Sequence, residues 1–502
     1  MGAAISKLSE YVPSREGLAL SLGCSNTTVT VAVSVVAVCV VVYGARAIAN
    51  NSTVRVKFHR WLRTTLRHWV LDRSMMGAFD KFYVQQLPRM QELNDATLRD
   101  ILQLNGSCAF ATEHAIKSVY ASIDEFRRSV PLSNYETYRP YIDRMVQQSE
   151  TNLLTPDRVV YYATSSGTTG KRKLLPIIKR FLPGMMELIS VVQSAVWRSL
   201  PADTFARPEQ RGFALVSGKK PHLFPRANDG TPIGPLSQAH SVSPLMPGMS
   251  LLLSVFGVMP FGLLEAIDNH EVAAFVQLAF ALMVPDLFRI EIYFAPSFMH
   301  VVKLLQANLE ELALCVTLGS FQRSSLVNAQ VADVELRRQL SRALAELSLE
   351  YGGIEYRIAR GAHINAQLDR RNEPALLHRL WPQLVYASTT IGGSFAVYRD
   401  ELQSYLGPDV PLINSPLYAA SEGFFGFSIS IKTAEYIFAP KAAFFEFIDE
   451  EFVTEVCIHL SLTQSQSHSI SLNVALNLGS TADGSLRSEE HTSELQSRLH
   501  LV

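Results

Sequence analysis

Tyr161-Tyr162-Ala163-Thr164-Ser165-Ser166-Gly167-Thr168-Thr169-Gly170-Lys171-Arg172-Lys173 decides how the rest of the chain is read. The apolar run Val159 to Tyr162 has strand character, the middle is a loop of small hydroxyl residues and glycines, and three cations close it before Leu174-Leu175-Pro176 restarts packed structure. Glycines let backbone N–H groups approach an anion, Ser and Thr hydroxyls add neutral donors, and a closing lysine supplies a point charge. The stretch therefore reads as a phosphate cradle. It is not a Walker loop, which needs Gly where Ser165 stands and Ser or Thr where Arg172 stands. A loop of this composition is also a common turn, so the assignment depends on the surrounding chain.

About 250 residues later comes Tyr418-Ala419-Ala420-Ser421-Glu422, followed by Gly423-Phe424-Phe425-Gly426-Phe427. A carboxylate near phosphates can hold Mg²⁺, and an aromatic face can stack on adenine. Standing alone, the segment reads equally as a surface turn with an exposed glutamate. Together the two stretches resemble the nucleotide loop and second motif of the adenylate-forming superfamily, which contains the acyl-CoA synthetases and luciferases. Arg172 stands where that superfamily usually has proline.

A closer resemblance is to the Gretchen Hagen 3 family of acyl-acid-amido synthetases, which has animal relatives. It is carried by Ser421 to Gly426, Phe444-Phe445-Glu446-Phe447-Ile448, Gly392-Gly393-Ser394, Pro131 to Glu136 and Tyr293-Phe294-Ala295-Pro296-Ser297. It covers roughly residues 75–450, with a phosphate loop one residue shorter than the usual plant form. The resemblance implies a large α/β adenylation domain followed by a small C-terminal domain. It also implies ATP-dependent ligation: a carboxylate attacks the α-phosphate of MgATP, giving an acyl-adenylate and pyrophosphate, and an amino acid or other amine then takes the acyl group.

On this reading Ser165, Ser166, Gly167, Thr168, Thr169 and Gly170 hold the phosphates. Lys173 supplies their charge, with Lys171 a weaker candidate. Tyr418 takes adenine, Ser421 lies in the nucleotide site and Glu422 binds Mg²⁺. The carboxylate is already nucleophilic, so positioning and charge stabilisation suffice without a general base. Phe425 and Phe445 are read as core, with a pocket-lining role the alternative. The rival function is a catalytically inactive, membrane-anchored nucleotide-binding or scaffolding relative. A serine hydrolase built on Gly392-Gly393-Ser394-Phe395-Ala396 lacks the elbow's final glycine and an assignable histidine.

At 502 residues with a net charge of −1, the chain has room for more than one domain, and no basic excess argues for nucleic acid. Cys24, Cys39, Cys108, Cys315 and Cys457 are scattered, so neither a disulfide framework nor a zinc site is indicated.

The N-terminal part divides into a tail (1–26), an apolar segment (27–45) and a basic linker (46–74). No charge occurs from Gly17 to Ala45, and about twenty apolar residues cross a bilayer as a helix. Lys7, Glu10, Arg15 and Glu16 cancel before this segment, whereas Arg46, Arg55, Lys57, Arg60, Arg63 and Arg67 follow it. The expectation is a single signal-anchor helix with the catalytic domain facing the cytoplasm, the endoplasmic reticulum being a plausible membrane. The competing reading is a signal peptide cleaved near Ala45-Arg46-Ala47. Met1 to Lys7 also fits an N-myristoylation pattern, which conflicts with that topology.

Within the expected adenylation domain, residues 75–155 carry Leu87, Met90, Leu93, Leu98, Ile101, Leu102 and Leu104 at helical spacing, punctuated by Pro131 and Pro140. Gly212 to Val216 reads as a strand and Lys220 to Ser237 as a loop. Met246 to Leu264 is apolar but broken by Gly and Pro, and so is assigned to core or a pocket wall rather than a membrane span. Val302 to Leu312 and Val334 to Leu349 read as amphipathic helices; Leu384 to Ala387 and Val410 to Ile413 read as strands of an α/β domain.

The resemblance further implies a strand bearing Tyr-Arg-x-Gly-Asp past Phe447 and a mobile C-terminal domain. Neither motif nor domain is legible in residues 451–502. Arg487 to Ser497 resembles translated adapter sequence, so the true reading frame is expected to end before it and the small domain to be mostly missing.

Overall fold

The run from Val159 extends as a strand to Thr164, and the chain turns back at Leu174 to pair with it antiparallel (Thr164 opposite Leu174, Ala163 opposite Leu175). This hairpin is the first of three sheet systems in a computed structural model. The structure describes residue 60 and residues 76–165, 172–201, 204, 211–216, 220–242, 257–428, 431, 435–446 and 486–487. The expected anchor (27–45), all of its linker except Arg60, nearly all of the tail past 450 and the loop residues Ser166 to Lys171 lie outside the described residues. Among the described residues no helix is long and apolar enough to cross a membrane.

In chain order the strands are β1 (Val159–Thr164), β2 (Leu174–Ile178), β3 (Gly212–Ala214), β4 (Ile233–Pro235), β5 (Arg289–Phe294), β6 (Tyr386–Thr390), β7 (Leu412–Asn414), β8 (Leu417–Ala420), β9 (Gly423–Ser428) and β10 (Glu435–Phe438). The first sheet has the order β2-β1-β4, with β4 parallel to β1. The second, β3-β5-β6-β7, is wholly parallel. The third runs β10-β9-β8 antiparallel, with Leu486–Arg487 pairing on β10.

Helices cover the parallel sheet, as βαβ connections require. The helix His270–Met283 is apolar on every side, and each residue from Val272 to Met283 is buried. Such a helix belongs inside a domain. Asn269 caps it, its side chain accepting from the backbone N–H groups of Glu271 and Val272. Helix Val334–Ser348 places Leu336, Leu340, Leu344 and Leu347 in the same core, the stripe expected from the sequence.

The helix Phe181–Arg198 ties the three sheets together. Met185 packs with Tyr161 and Leu175 of the first sheet; Leu188 and Val191 pack with Phe427 and Ile437 of the third; Val196 and Trp197 pack with Phe288, Tyr386 and Ile413 at the parallel sheet. One face after another of a single rod thus serves as core for a different sheet.

Several boundaries differ from the sequence reading. Lys220 to Ser237 is not loop throughout, because Ile233–Pro235 completes the first sheet as β4. Pro140 lies inside helix Tyr135–Gln148 rather than ending it. The helix read from Val302 is two, Ala295–Ala307 and Leu309–Leu318, broken at Asn308. The strands expected at Leu384 and Val410 begin two residues later, at Tyr386 and Leu412. Of the apolar stretch Met246 to Leu264, residues 246–256 lie outside the described residues, while Val258, Met259 and Leu264 join the main core.

Candidate functional site

The neck of the phosphate loop is closed by a backbone bond, Ser165 N–H donating to the Lys173 carbonyl at 3.1 Å. This extends the β1–β2 register by one pair, and directly opposed residues of an antiparallel pair share a face. Ser165 and Lys173 therefore stand side by side where the loop leaves the sheet. The Ser165 hydroxyl is buried and, among the described residues, has no hydrogen-bond partner. A buried hydroxyl without a partner costs free energy, so its position suits a ligand that accepts from it.

Lys173 is half-buried, its ammonium 5.6 Å from the centre of the Tyr135 ring. Tyr135 also secures the strand itself. β2 is the outer strand of its sheet, leaving the backbone of Leu174 without a neighbouring strand on that side. The Leu174 N–H donates to the Tyr135 oxygen at 2.8 Å, and the Tyr135 hydroxyl donates to the Leu174 carbonyl at 3.2 Å. The Pro131 to Glu136 segment places this ring: Asn134 caps the helix by accepting from Glu136 N–H at 3.0 Å, and the Ser133 and Tyr138 hydroxyls meet at 2.6 Å. Burial of Tyr135 raises its hydroxyl pKa, keeping the group protonated.

The second motif forms a hairpin. Ala420 pairs with Gly423, so Ser421 and Glu422 make its two-residue turn, both partly exposed. Among the described residues no side chain donates to the Glu422 carboxylate. Phe424, next but one, packs against the cluster of Tyr161, Ala163 and Leu175 with Tyr135 beside it. The fold thereby brings the Glu422 hairpin to the sheet that carries Ser165 and Lys173. Ser166, Gly167, Thr168, Thr169, Gly170 and Lys171 fall outside the described residues.

Tyr418 lies on β8 within an aromatic group: Tyr436 at 5.4 Å, Phe425 and Phe438 each at 5.9 Å between ring centres, with Phe445 4.8 Å from Phe438. Its cross-strand partner is Gly426, which is also opposite Phe438. A Cβ on Gly426 would lie 2.3 Å from the Ile437 carbonyl oxygen, so only glycine fits there. Tyr418 and Phe438 close over it. Burial, then the neighbouring Tyr436, pushes the Tyr418 hydroxyl up to about 12. Phe425 is buried in this group, in keeping with the core role expected of it, and Phe445 shares the cluster.

The sequence reading missed the links between these parts. Asn414, ending β7, accepts from Ile391 N–H at 3.0 Å and donates to the Tyr436 hydroxyl at 2.8 Å. That hydroxyl donates to the Ser415 carbonyl at 2.8 Å. Thr389, 1% exposed, has a hydroxyl without a partner at the same carboxyl edge. Tyr135 stood within a recognised motif without an assigned role, and Asn414 carried only its place after a strand. Gly392 to Ser394, the rejected hydrolase elbow, opens the short turn at the end of β6.

The donor set fits a magnesium nucleotide: among the described residues, an unpartnered hydroxyl and a lysine at the loop neck, a carboxylate that accepts no side-chain hydrogen bond on the adjoining hairpin, and aromatic rings behind it. Among the described residues no cluster of His, Cys, Asp or Glu suggests a protein-only metal centre.

Residues 81–412 match the model of the GH3 family N-terminal domain. The chain is 23% identical over 391 residues to "Putative indole-3-acetic acid-amido synthetase GH3.10" of Oryza sativa subsp. japonica, covering 75% of this chain and 71% of that protein. It is 22% identical over 379 residues to the 4-substituted benzoates-glutamate ligase GH3.12 of Arabidopsis thaliana, covering 74% of this chain and 61% of that protein. Among solved structures it resembles AtGH3.15 acyl acid amido synthetase in complex with 2,4-DB, with a TM-score of 0.58 and 20% identity. That match covers 72% of this chain and 59% of the other, and at this identity it shows the fold alone. The chain thus spans about three fifths of the length of most of these relatives.

Proposed function

Because the chain belongs to the GH3 family, we propose that the protein is an ATP-dependent acyl-acid amido synthetase, activating a carboxylic acid as its adenylate and passing the acyl group to an amino acid or another amine. The observation that carries this reading is the pairing of Ser165 with Lys173 at the loop neck, with the Ser165 hydroxyl buried and unpartnered. The names of the relatives support it.

Ser165 with Ser166, Gly167, Thr168, Thr169 and Gly170 donates to phosphate oxygens, and Lys173 neutralises their charge, helped by Lys171. Tyr418 offers adenine a ring, with Ser421 at the turn beside it. Mg²⁺, held by Glu422, would supply further charge neutralisation on the phosphates. The chain's own contribution is to hold the acid's carboxylate in line with the α-phosphate and to stabilise the charge that develops there. The apolar segment 27–45 anchors this domain to a membrane on its cytoplasmic side.

Carboxylate-dependent ATP–pyrophosphate exchange by the full chain tests the proposal. Exchange should appear with some members of an acid panel and collapse in Lys173→Ala and Glu422→Gln. Unchanged exchange in both variants rejects their roles. ATP binding without exchange for any acid would instead identify a nucleotide-binding relative that does not turn over.

A further inference from the structure

β5 alternates cleanly. Ile290 and Ile292 enter the main core, while Arg289, Glu291 and Tyr293 share the opposite face. Tyr386, 1% exposed on β6, donates its hydroxyl to Glu291 Oε1 at 3.0 Å, and Arg289 Nε lies 3.0 Å from Oε2. Room for the guanidinium comes from Gly212 on the neighbouring β3, where an added Cβ would stand 3.0 Å from it. The three groups form a fixed, neutral cluster.

The cluster is also open. The side chains of Arg289 and Glu291 remain 19% and 37% exposed, and Tyr293 and Phe294, towards the carboxyl end of β5, are 68% and 55% exposed. An accessible strip therefore descends the strand from its carboxyl edge to Glu291. Phe294 lies three positions beyond Glu291, about 10 Å along a strand. At that edge Phe294 stands opposite Thr390, and Asn414, which accepts from Ile391, leads through Tyr436 to Tyr418.

A carboxylate has about four acceptor positions; the Tyr386 hydroxyl fills one, and Arg289 lies at ion-pair distance without donating from Nε. We propose that Glu291, held by Arg289 and Tyr386, is the floor of the acyl-acid pocket and selects an acid with a hydroxyl at its far end, about 10 Å from the carboxylate to be activated. The inference rests on the amido-synthetase reading above. A plain hydrocarbon tail would cover Glu291 without giving it a donor, which costs free energy. A distal carboxylate would be repelled by Glu291, and because Arg289 already neutralises Glu291, a distal ammonium would be desolvated without a net opposite charge to offset the cost.

The test is pyrophosphate exchange by the full chain with 8-hydroxyoctanoic and octanoic acids. The hydroxy acid should be favoured in kcat/KM by about tenfold to a hundredfold, as expected for a hydrogen bond to a charged group. The preference should vanish in Arg289→Leu/Glu291→Leu, which removes both charges together and should use octanoic acid at least as well as the parent. Glu291→Gln, of the same shape, should lose most of the preference, so the test does not depend on the double variant folding. Equal use of the two acids by the parent, or an unchanged preference in the variants, overturns the pocket floor alone. Absence of exchange with every acid, together with absence of ATP binding, overturns the ligase reading and the inference with it.

Discussion

The Lys173 ammonium stands 5.6 Å from the centre of the Tyr135 ring, and the hydroxyl of that ring bonds both the N–H and the carbonyl of the next residue, Leu174. One side chain therefore fixes the end of β2 and faces the cation that β2 delivers to the loop neck.

Tyr135→Phe keeps the ring but removes both bonds to Leu174. It should cost about 1–2 kcal/mol of stability and raise the KM for ATP in exchange. Tyr135→Ala should cost more, since it also loses packing and a cation–π contact of about 0.5–1 kcal/mol. Denaturant midpoints with ATP titrations separate the effects; identical values for the two variants would assign the ring no part.

Gly426→Ala drives a methyl group into the Ile437 carbonyl, which β9–β10 pairing holds in place. A loss of about 3 kcal/mol or more is expected, at the upper end for a single overpacked site. Urea unfolding reads it directly. A loss below about 1 kcal/mol would mean that the two strands part easily.

Glu422 sits in a partly exposed turn and, among the described residues, makes no side-chain hydrogen bond or ion pair. Glu422→Gln should leave the unfolding midpoint within about 0.5 kcal/mol of the parent, as for an ordinary surface change. The Mg²⁺ needed for half-maximal exchange should nevertheless rise. A variant as magnesium-sensitive as the parent would remove Glu422 from the metal site.

Glu311 receives the hydroxyls of Ser324 and Ser325 at 2.6 and 2.7 Å, at the start of helix Ser325–Gln330. Burial by itself would raise its pKa, but these bonds and the Leu326 N–H outweigh that and hold the carboxyl below its ordinary value. A lowered folded pKa contributes stability that is full above the unfolded value of about 4.3 and is lost as pH falls through the folded one. The stability gap between the parent and Glu311→Gln should accordingly be widest above about pH 5 and close in stronger acid. A gap independent of pH would show that the serines do not favour the charged form.

For the apolar segment 27–45, membrane association should survive carbonate extraction, and a chain lacking residues 1–45 should be released. Release of the full chain at high pH would remove the spanning helix.

Much of the fold was legible because its signals are local. A strand followed by small hydroxyl residues, glycines and cations forms a hairpin with its loop at the tip, and leucines at helical spacing in Val334–Ser348 reach the core as expected. The sequence reading expected Glu422 near the phosphates; in the fold its hairpin belongs to the third sheet and meets the first through Phe424, which packs against Tyr161, Ala163 and Leu175. What sequence did not reveal depends on register between distant strands. Glu291 meets Tyr386 only because β5 and β6 are aligned in parallel, and Ile233–Pro235 is too short to announce a strand without β1 beside it. Asn308 splits a helix at a position where periodicity continues across the break.

The rod from Phe181 to Arg198 has a meaning for how such enzymes diversify. Its first turns brace the sheet bearing Ser165 and Lys173, and its last turn rests on Phe288 and Tyr386 beside the proposed pocket floor. On the proposed reading, activation and acid choice would be anchored at opposite ends of one stiff element. Substitutions at the Arg198 end would then remodel what is accepted while the Phe181 end keeps the proposed activating residues in place, so a descendant of this scaffold would change diet without relearning the reaction.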